Sequence, residues 1–243
     1  MINLDNTSNP ALSESNFENM SFTDSNTMTI DGTVNKIGLS LVLVVGGACV
    51  TWASYDMKWV LLGGIGGFIL ALVTTFKKEW SPITVPMYAI LEGLFLGAFS
   101  GMLNQTYPGI ATQAVGLTFA TLFGLLFAYR SGMIKVTDKF KTMVVSATLG
   151  LMGFYFISFI LSLFGFNPFS SMFGSGIIGI GFSLFCVGLA SLNLVLDFDF
   201  IKTVAQKGAP KYMEWYGAFG LLVTLIWLYI EIIRLLSKLR SND

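Results

Sequence analysis

The chain alternates between long stretches without a charged residue and short polar patches. A bilayer core of about 30 Å is crossed by roughly 20 helical residues, and the neutral stretches match that length. Ile37 to Tyr55 is apolar and uncharged, and Asp56 and Lys58 follow it. Trp59 to Phe76 is the next window, closed by Lys77-Lys78-Glu79. From Pro86 to Tyr129 the sole charge is Glu92. That is too long for one crossing at about 1.5 Å per residue, and Asn104-Gln-Thr-Tyr-Pro-Gly109 supplies the turn. Thr142 to Leu196 is again uncharged and must fold back, at Gly165-Phe-Asn-Pro-Phe-Ser-Ser171. Trp215 to Ile230 is the last window, extended through Glu231-Ile-Ile-Arg234-Leu-Leu. The pattern predicts an all-α integral membrane protein with seven spans, near 37–55, 59–76, 86–103, 110–129, 143–164, 175–196 and 215–236. Six spans with a re-entrant final segment is the alternative.

Residues 1–28 differ from the rest. Rich in Asn, Ser and Thr, they lack the apolar density to fold alone and are expected to form a disordered cytosolic tail ahead of a membrane domain over 29–240. No basic patch runs directly into an apolar core there, so the segment does not read as a signal peptide. Lys and Arg set the expected orientation. The loops after spans 2, 4 and 6 carry Lys77, Lys78, Arg130, Lys135, Lys139, Lys141, Lys202, Lys207 and Lys211, and those after spans 1, 3 and 5 carry Lys58 alone. This bias places the N-terminus in the cytoplasm. Arg234, Lys238 and Arg240 oppose it, because seven spans put them outside, and they are the support for the re-entrant alternative.

Composition narrows the chemistry. Charged residues are 12% of the 243, about half the share in a soluble domain. The formal net charge is zero, so no overall field recruits nucleic acid. Histidine is absent, which removes Ser-His-Asp and Cys-His nucleophiles, HExxH zinc sites and haem ligation by His. Cys49 and Cys186 lie far apart in apolar runs and read as packing residues. No phosphate-binding GxxxxGK and no GxGD of an intramembrane aspartyl protease is present, and the last span holds no Lys for a retinal. An enzyme is not expected, nor a bound cofactor. Gly63 and Gly67, and Gly93, Gly97 and Gly101, are spaced for close helix approach, within one bundle or at a homodimer seam.

Functional signal is sought where charge is expensive. An acid at the centre of a membrane helix costs about 2.5–3.5 kcal/mol on insertion scales. Glu92, inside span 3, is the clearest case, as a carboxylate facing a polar cavity where it takes a cation or a proton. Asp197 and Asp199 end span 6, projecting to different faces. Lys202 is the expected partner of Asp199, which leaves Asp197 as the inward acid. Glu214 opens span 7, level with Asp197, where an acid suits the helix N-terminus. Glu231 and Arg234 are spaced i, i+3 and are expected to pair. Asp197 and Glu92 are the candidate oxygen ligands for a cation.

Leu91-Glu-Gly-Leu-Phe-Leu-Gly97, Leu194-Val-Leu-Asp-Phe-Asp-Phe200 and Gly208-Ala-Pro-Lys-Tyr-Met-Glu-Trp-Tyr-Gly-Ala-Phe-Gly220 resemble bacterial members of the Bax-inhibitor-like, or transmembrane Bax-inhibitor-motif, family. The likeness covers about residues 29–240. It implies a seven-helix fold with the last helix central, a bacterial inner-membrane location and a pH-sensitive calcium leak. In such relatives an Asp ending the penultimate span shares a proton with an Asp in the last span, latching the pore shut. The first matches Asp197. The position of the second falls near Thr224, which is neutral, leaving Glu92 or Glu214 as the acids available to replace it.

Three functions follow as expectations. The first is a passive Ca²⁺ leak gated by carboxylate protonation. The second is a non-transporting regulator of membrane-protein quality control or stress response, with the polar tail and the loop 130–141 contacting a membrane protease or other membrane proteins. The third is a proton-coupled transporter, which lacks support from any internal repeat.

Overall fold

The computed structural model describes residues 27–241. Residues 1–26, which make up most of the predicted tail, lie outside that range. Thr27 and Met28, the last two residues given to the tail, pack on the membrane domain: Thr27 pairs with Pro210 as an isolated β-bridge, and the Met28 N–H donates to the Ala209 carbonyl at 2.7 Å.

Seven long helices are each apolar enough to cross a membrane. They are α1 (Ile30–Thr51), α2 (Met57–Phe76), α3 (Ser81–Thr106), α4 (Ile110–Arg130), α5 (Asp138–Leu163), α6 (Ile177–Gln206) and α7 (Met213–Arg240). A 3₁₀ turn, Lys78–Trp80, leads into α3, and a one-turn helix, Ser170–Phe173, interrupts the loop before α6. The chain is a multi-pass all-α membrane protein. Helices α1, α3, α5 and α7 start on one face, called the near face below; Thr29 meets Glu214 there, and Ser81 meets Tyr212.

Helix α7 is the hub. In its most apolar stretch 61% of residues are buried, against 11% in α5, and it packs on α1, α3, α4 and α6. Leu222, Leu228 and Ile233 on α7 are almost fully enclosed. Large apolar residues on α2 and α5, such as Phe68 and Phe156, face outward instead, as lipid-exposed surface.

The glycine faces are used inside this bundle. A Cβ on Gly93, Gly97 or Gly101 would run into the backbone of α1 at Val44, Ala48 or Trp52, and one on Gly63 would meet α3 at Leu91 and Phe95. Lipid offers no hydrophobic drive between helices, so close van der Waals approach does the work of assembly.

The helices overrun the charge-free windows. Helix α1 starts at Ile30, not residue 37, because Thr29 caps it by accepting from Gly32 N–H at 3.0 Å and Asp31 suits its first turn. Helix α3 starts at Ser81, with Pro82 tolerated in the first turn. Helix α6 continues ten residues past Leu196 to Gln206. Asp197 and Asp199 therefore lie within a continuous helix, not at its C-terminus. Of the cysteines, Cys186 is packed as expected, but Cys49 is exposed on α1.

The re-entrant alternative does not hold. Helix α7 runs unbroken from the near face to the far one, where Arg240 donates to the Pro108 carbonyl at 2.7 Å and to Gln113 Oε1 at 3.0 Å. The basic residues that opposed seven spans are each engaged. Arg234 pairs with Glu231, and buried Lys238 donates to the carbonyls of Met172 at 3.1 Å and Gly179 at 3.0 Å.

Candidate functional site

Asp197 projects from α6 towards α7. Its carboxylate lies beside Gly220, where a Cβ would stand 3.8 Å from Oδ1, and beside the Thr224 side chain. Thr224 commits its hydroxyl to the Gly220 carbonyl one turn back, at 3.2 Å. Asp197 Oδ2 is buried and has no hydrogen-bond partner among the described residues. Asp197 sits nine residues before the end of α6 and Thr224 eleven after the start of α7. At about 1.5 Å per residue both are some 13–17 Å into the bundle. Glu214 is in the first turn of α7, so the expectation that it lies level with Asp197 is corrected: Thr224 occupies that depth.

Glu92 is buried on α3 and faces α2. Its carboxyl fills the space that a Cβ on Gly67 would need, and Tyr88 approaches it from one turn earlier. The Tyr88 ring in turn packs edge-on against Phe219 of α7, with centroids 5.2 Å apart. Glu92 and Asp197 thus occupy different helix interfaces. Among the described residues no three acidic or thiol side chains gather into a metal-binding group.

Asp199, two residues from Asp197, points elsewhere. It pairs with Lys141 of α5 at 2.7 Å and accepts from the Tyr129 hydroxyl at 3.2 Å. The expected Lys202 partner is instead 5.9 Å above the Tyr129 ring. The local i, i+3 spacing lost to a neighbour from another helix, a competition that sequence spacing does not display.

Glu214 is fully enclosed between two lysines, although its Oε2, like Asp197 Oδ2, has no hydrogen-bond partner among the described residues. Lys211 is 2.9 Å from Oε1 and Lys36 is 3.3 Å from Oε2. Thr29 donates to Oε1 through both its N–H, at 3.0 Å, and its hydroxyl, at 2.9 Å. Gly32 leaves the room, since any side chain there would collide with the carboxyl. The residue ties the start of α1 to the start of α7.

Glu231 and Arg234 form an ion pair at 3.1 Å in the far half of α7. Tyr155 donates to Glu231 Oε1 at 3.2 Å and Trp227 Nε1 does so at 3.3 Å, while Arg234 also donates to the Tyr155 oxygen at 3.3 Å. Sequence reasoning missed Tyr155, Lys36, Thr29 and Lys141 as partners, because each comes from a helix remote in the chain. It also missed Lys238 as a buried group, although a Lys inside a last apolar turn was the available signal.

Chemically, the described carboxyls fall into two kinds. Glu214, Glu231 and Asp199 are neutralised by fixed cations. Asp197 is buried with an unshared oxygen, and such a group relieves the cost of burial by taking a proton or a cation. Hollows of about 620, 320 and 730 Å³ lie against the helices, and neither Asp197 nor Glu92 lines any of them.

Among known families, one described as Bax inhibitor 1 like matches residues 9–241, nearly the whole chain. Neither the curated proteins nor the solved structures yield a match.

Proposed function

We propose that this chain, which belongs to the Bax inhibitor 1 like family, is a passive cation leak with Ca²⁺ as its cargo, switched by the protonation of Asp197. One observation carries the reading: Asp197 Oδ2 is buried against the central helix and, among the described residues, has neither a hydrogen-bond partner nor, unlike Glu214, a cation beside it. A buried carboxylate left in that condition is costly, and membrane proteins retain such groups chiefly along ion and proton paths. Protonated, Asp197 can donate to an oxygen of α7 and hold α6 against it. Ionised, it attracts water or a cation to the same interface, and Ca²⁺ prefers oxygen ligands of this type. Glu92 is a second acid at similar depth, on the α2–α3 side, rather than a co-ligand with Asp197. With Thr224 opposite, the switch rests on one carboxyl and not on a shared pair.

In this reading the near face lies in the cytoplasm, from the Lys and Arg residues of its loops, and the bacterial inner membrane is taken from the family resemblance. Neither catalysis nor a resident cofactor enters this reading.

The test is Ca²⁺ entry into liposomes holding the purified protein, measured between about pH 6 and about pH 8. Wild-type flux should vary with pH. Asp197→Asn should give flux that is flat with pH, held at the level of the protonated wild type. Wild-type flux no greater than that of empty liposomes overturns the proposal. A non-transporting regulator is the second reading, favoured by the absence of Asp197 and Glu92 from the lining of the three hollows. It predicts no flux at any pH, with the phenotype lost on deletion of residues 1–26.

A further inference from the structure

Helices α1 and α4 both pack on α7, yet they make scarcely any contact with each other. The crevice between them holds two adjoining hollows. One of about 730 Å³ reaches the near face, and one of about 320 Å³ lies deeper, towards the far face. Leu41 and Phe119 line both, so the two hollows abut at these side chains. The walls are mainly apolar, with Val34 and Phe123 on either side and Leu221 on the α7 floor; in the deeper part Ser100 and Tyr229 bond each other and Thr118 donates to the Ala114 carbonyl.

Charged groups collect at the near-face end alone. Arg130, at the last position of α4, and Lys202 of α6 line the mouth, with Tyr129 between them and Asp31 as the one acid. Among the described residues neither Arg130 nor Lys202 has a carboxylate within ion-pair reach, although Lys36, Lys141 and Lys211 nearby are all paired. Lys202 rests over the Tyr129 ring. An apolar slot open to the bilayer, ending in two unpaired cations at headgroup depth, has the charge and polarity profile of an amphiphile with an anionic head.

We propose that the α1–α4 crevice binds one acidic phospholipid from the surrounding leaflet. Its phosphate sits against Arg130 and Lys202, and an acyl chain runs past Leu41 and Phe119 along α7. Basic pockets between membrane helices recognise anionic headgroups in this manner, and the volume falls in the range of ligand sites. The site is separate from Asp197 and independent of the leak.

Gly38 makes the test specific. It lines the larger hollow, and a Cβ there would meet no atom within 4 Å. The Cβ of Gly38→Leu therefore enters open space and its side chain extends into the slot, and the change improves helix propensity. The purified full-length protein in neutral detergent is titrated with dioleoylphosphatidylglycerol or dioleoylphosphatidylcholine, and bound lipid is counted by native mass spectrometry. Wild type should retain one phosphatidylglycerol, with a preference over phosphatidylcholine on the order of tenfold. Arg130→Gln with Lys202→Gln should abolish the preference, and Gly38→Leu should reduce retention of both lipids. Equal retention of the two lipids by wild type overturns the proposal. So does undiminished phosphatidylglycerol binding in either variant: in the charge variant the cations are then irrelevant, and in Gly38→Leu the lipid lies outside the crevice.

Discussion

Glu214 and Asp197 are both acids at interfaces of the central helix, Glu214 on its near-face end and facing α1, Asp197 on α6 and packed against it roughly two to three turns deeper. Around Glu214 the chain supplies two lysines, a backbone N–H, a hydroxyl and a glycine-shaped recess. Around Asp197 it supplies a glycine and a threonine whose hydroxyl is already given to its own helix. The same functional group is thus built into a joint with two cations in one place and left without a cation among the described residues in the other. Burial by itself does not mark a functional acid; the count of its partners separates the two cases. Replacing either residue by its amide should therefore have opposite consequences.

The largest effect is expected at the joint. Glu214→Gln removes the charge that Lys36 and Lys211 face and weakens the hold on Thr29. Both lysines are partly exposed and can turn to water, so the loss falls below that of a fully buried pair, at roughly 2–4 kcal/mol. It should appear as a clearly lower melting temperature in detergent, with the pH response of flux retained. A melting temperature equal to wild type would erase the contrast between the two acids.

Thr224→Asp converts the deeper site into a pair of facing carboxyls. Two such groups can share one proton but resist losing it. Ionising the second acid in this interface should cost on the order of 1–3 kcal/mol. The variant should match wild type where one proton is shared and become progressively less stable as pH rises. Melting curves that are independent of pH would mean that Thr224 and Asp197 do not face each other in the membrane.

Asp197→Asn should move stability by less than about 1 kcal/mol, in the favourable direction. It removes an unpaired charge and adds a donor that the Gly220 carbonyl or the Thr224 hydroxyl can accept. A loss as large as that of Glu214→Gln would show that Asp197 is a structural acid with a partner after all.

The spans were legible in the sequence because hydrocarbon thickness imposes a length on neutral runs, and each of the seven helices covers most of its window. Their ends were not legible. A window stops at the first charge, whereas Asp197 and Asp199 ride inside α6 and Lys36 inside α1. Two of those charges are accommodated by partners on other helices, Lys141 for Asp199 and Glu214 for Lys36. The same blindness affected the site. The acids could be picked out as costly, but their depth and their neighbours depend on helix packing. Glu231 and Arg234 were readable as a pair because both sit on one helix face. The crevice between α1 and α4 had no local signature, since it arises from two helices that fail to touch.

Asp199 offers the finest control, because it shares a helix and nearly a depth with Asp197. Two residues apart on a helix, the side chains diverge by about 200°, and only Asp199 reaches a cation. Its partner Lys141 is half exposed, and an ion pair in that setting holds little net stability. Lys141→Gln should therefore shift the melting temperature less than any of the changes above. The hydroxyl of Tyr129 remains to bond Asp199, and the other face of α6 is untouched, so flux should keep the wild-type dependence on pH. If Lys141→Gln instead flattened that dependence as Asp197→Asn is expected to do, the sensor would be distributed over both acids. The absence of a partner at Asp197 would then no longer distinguish it.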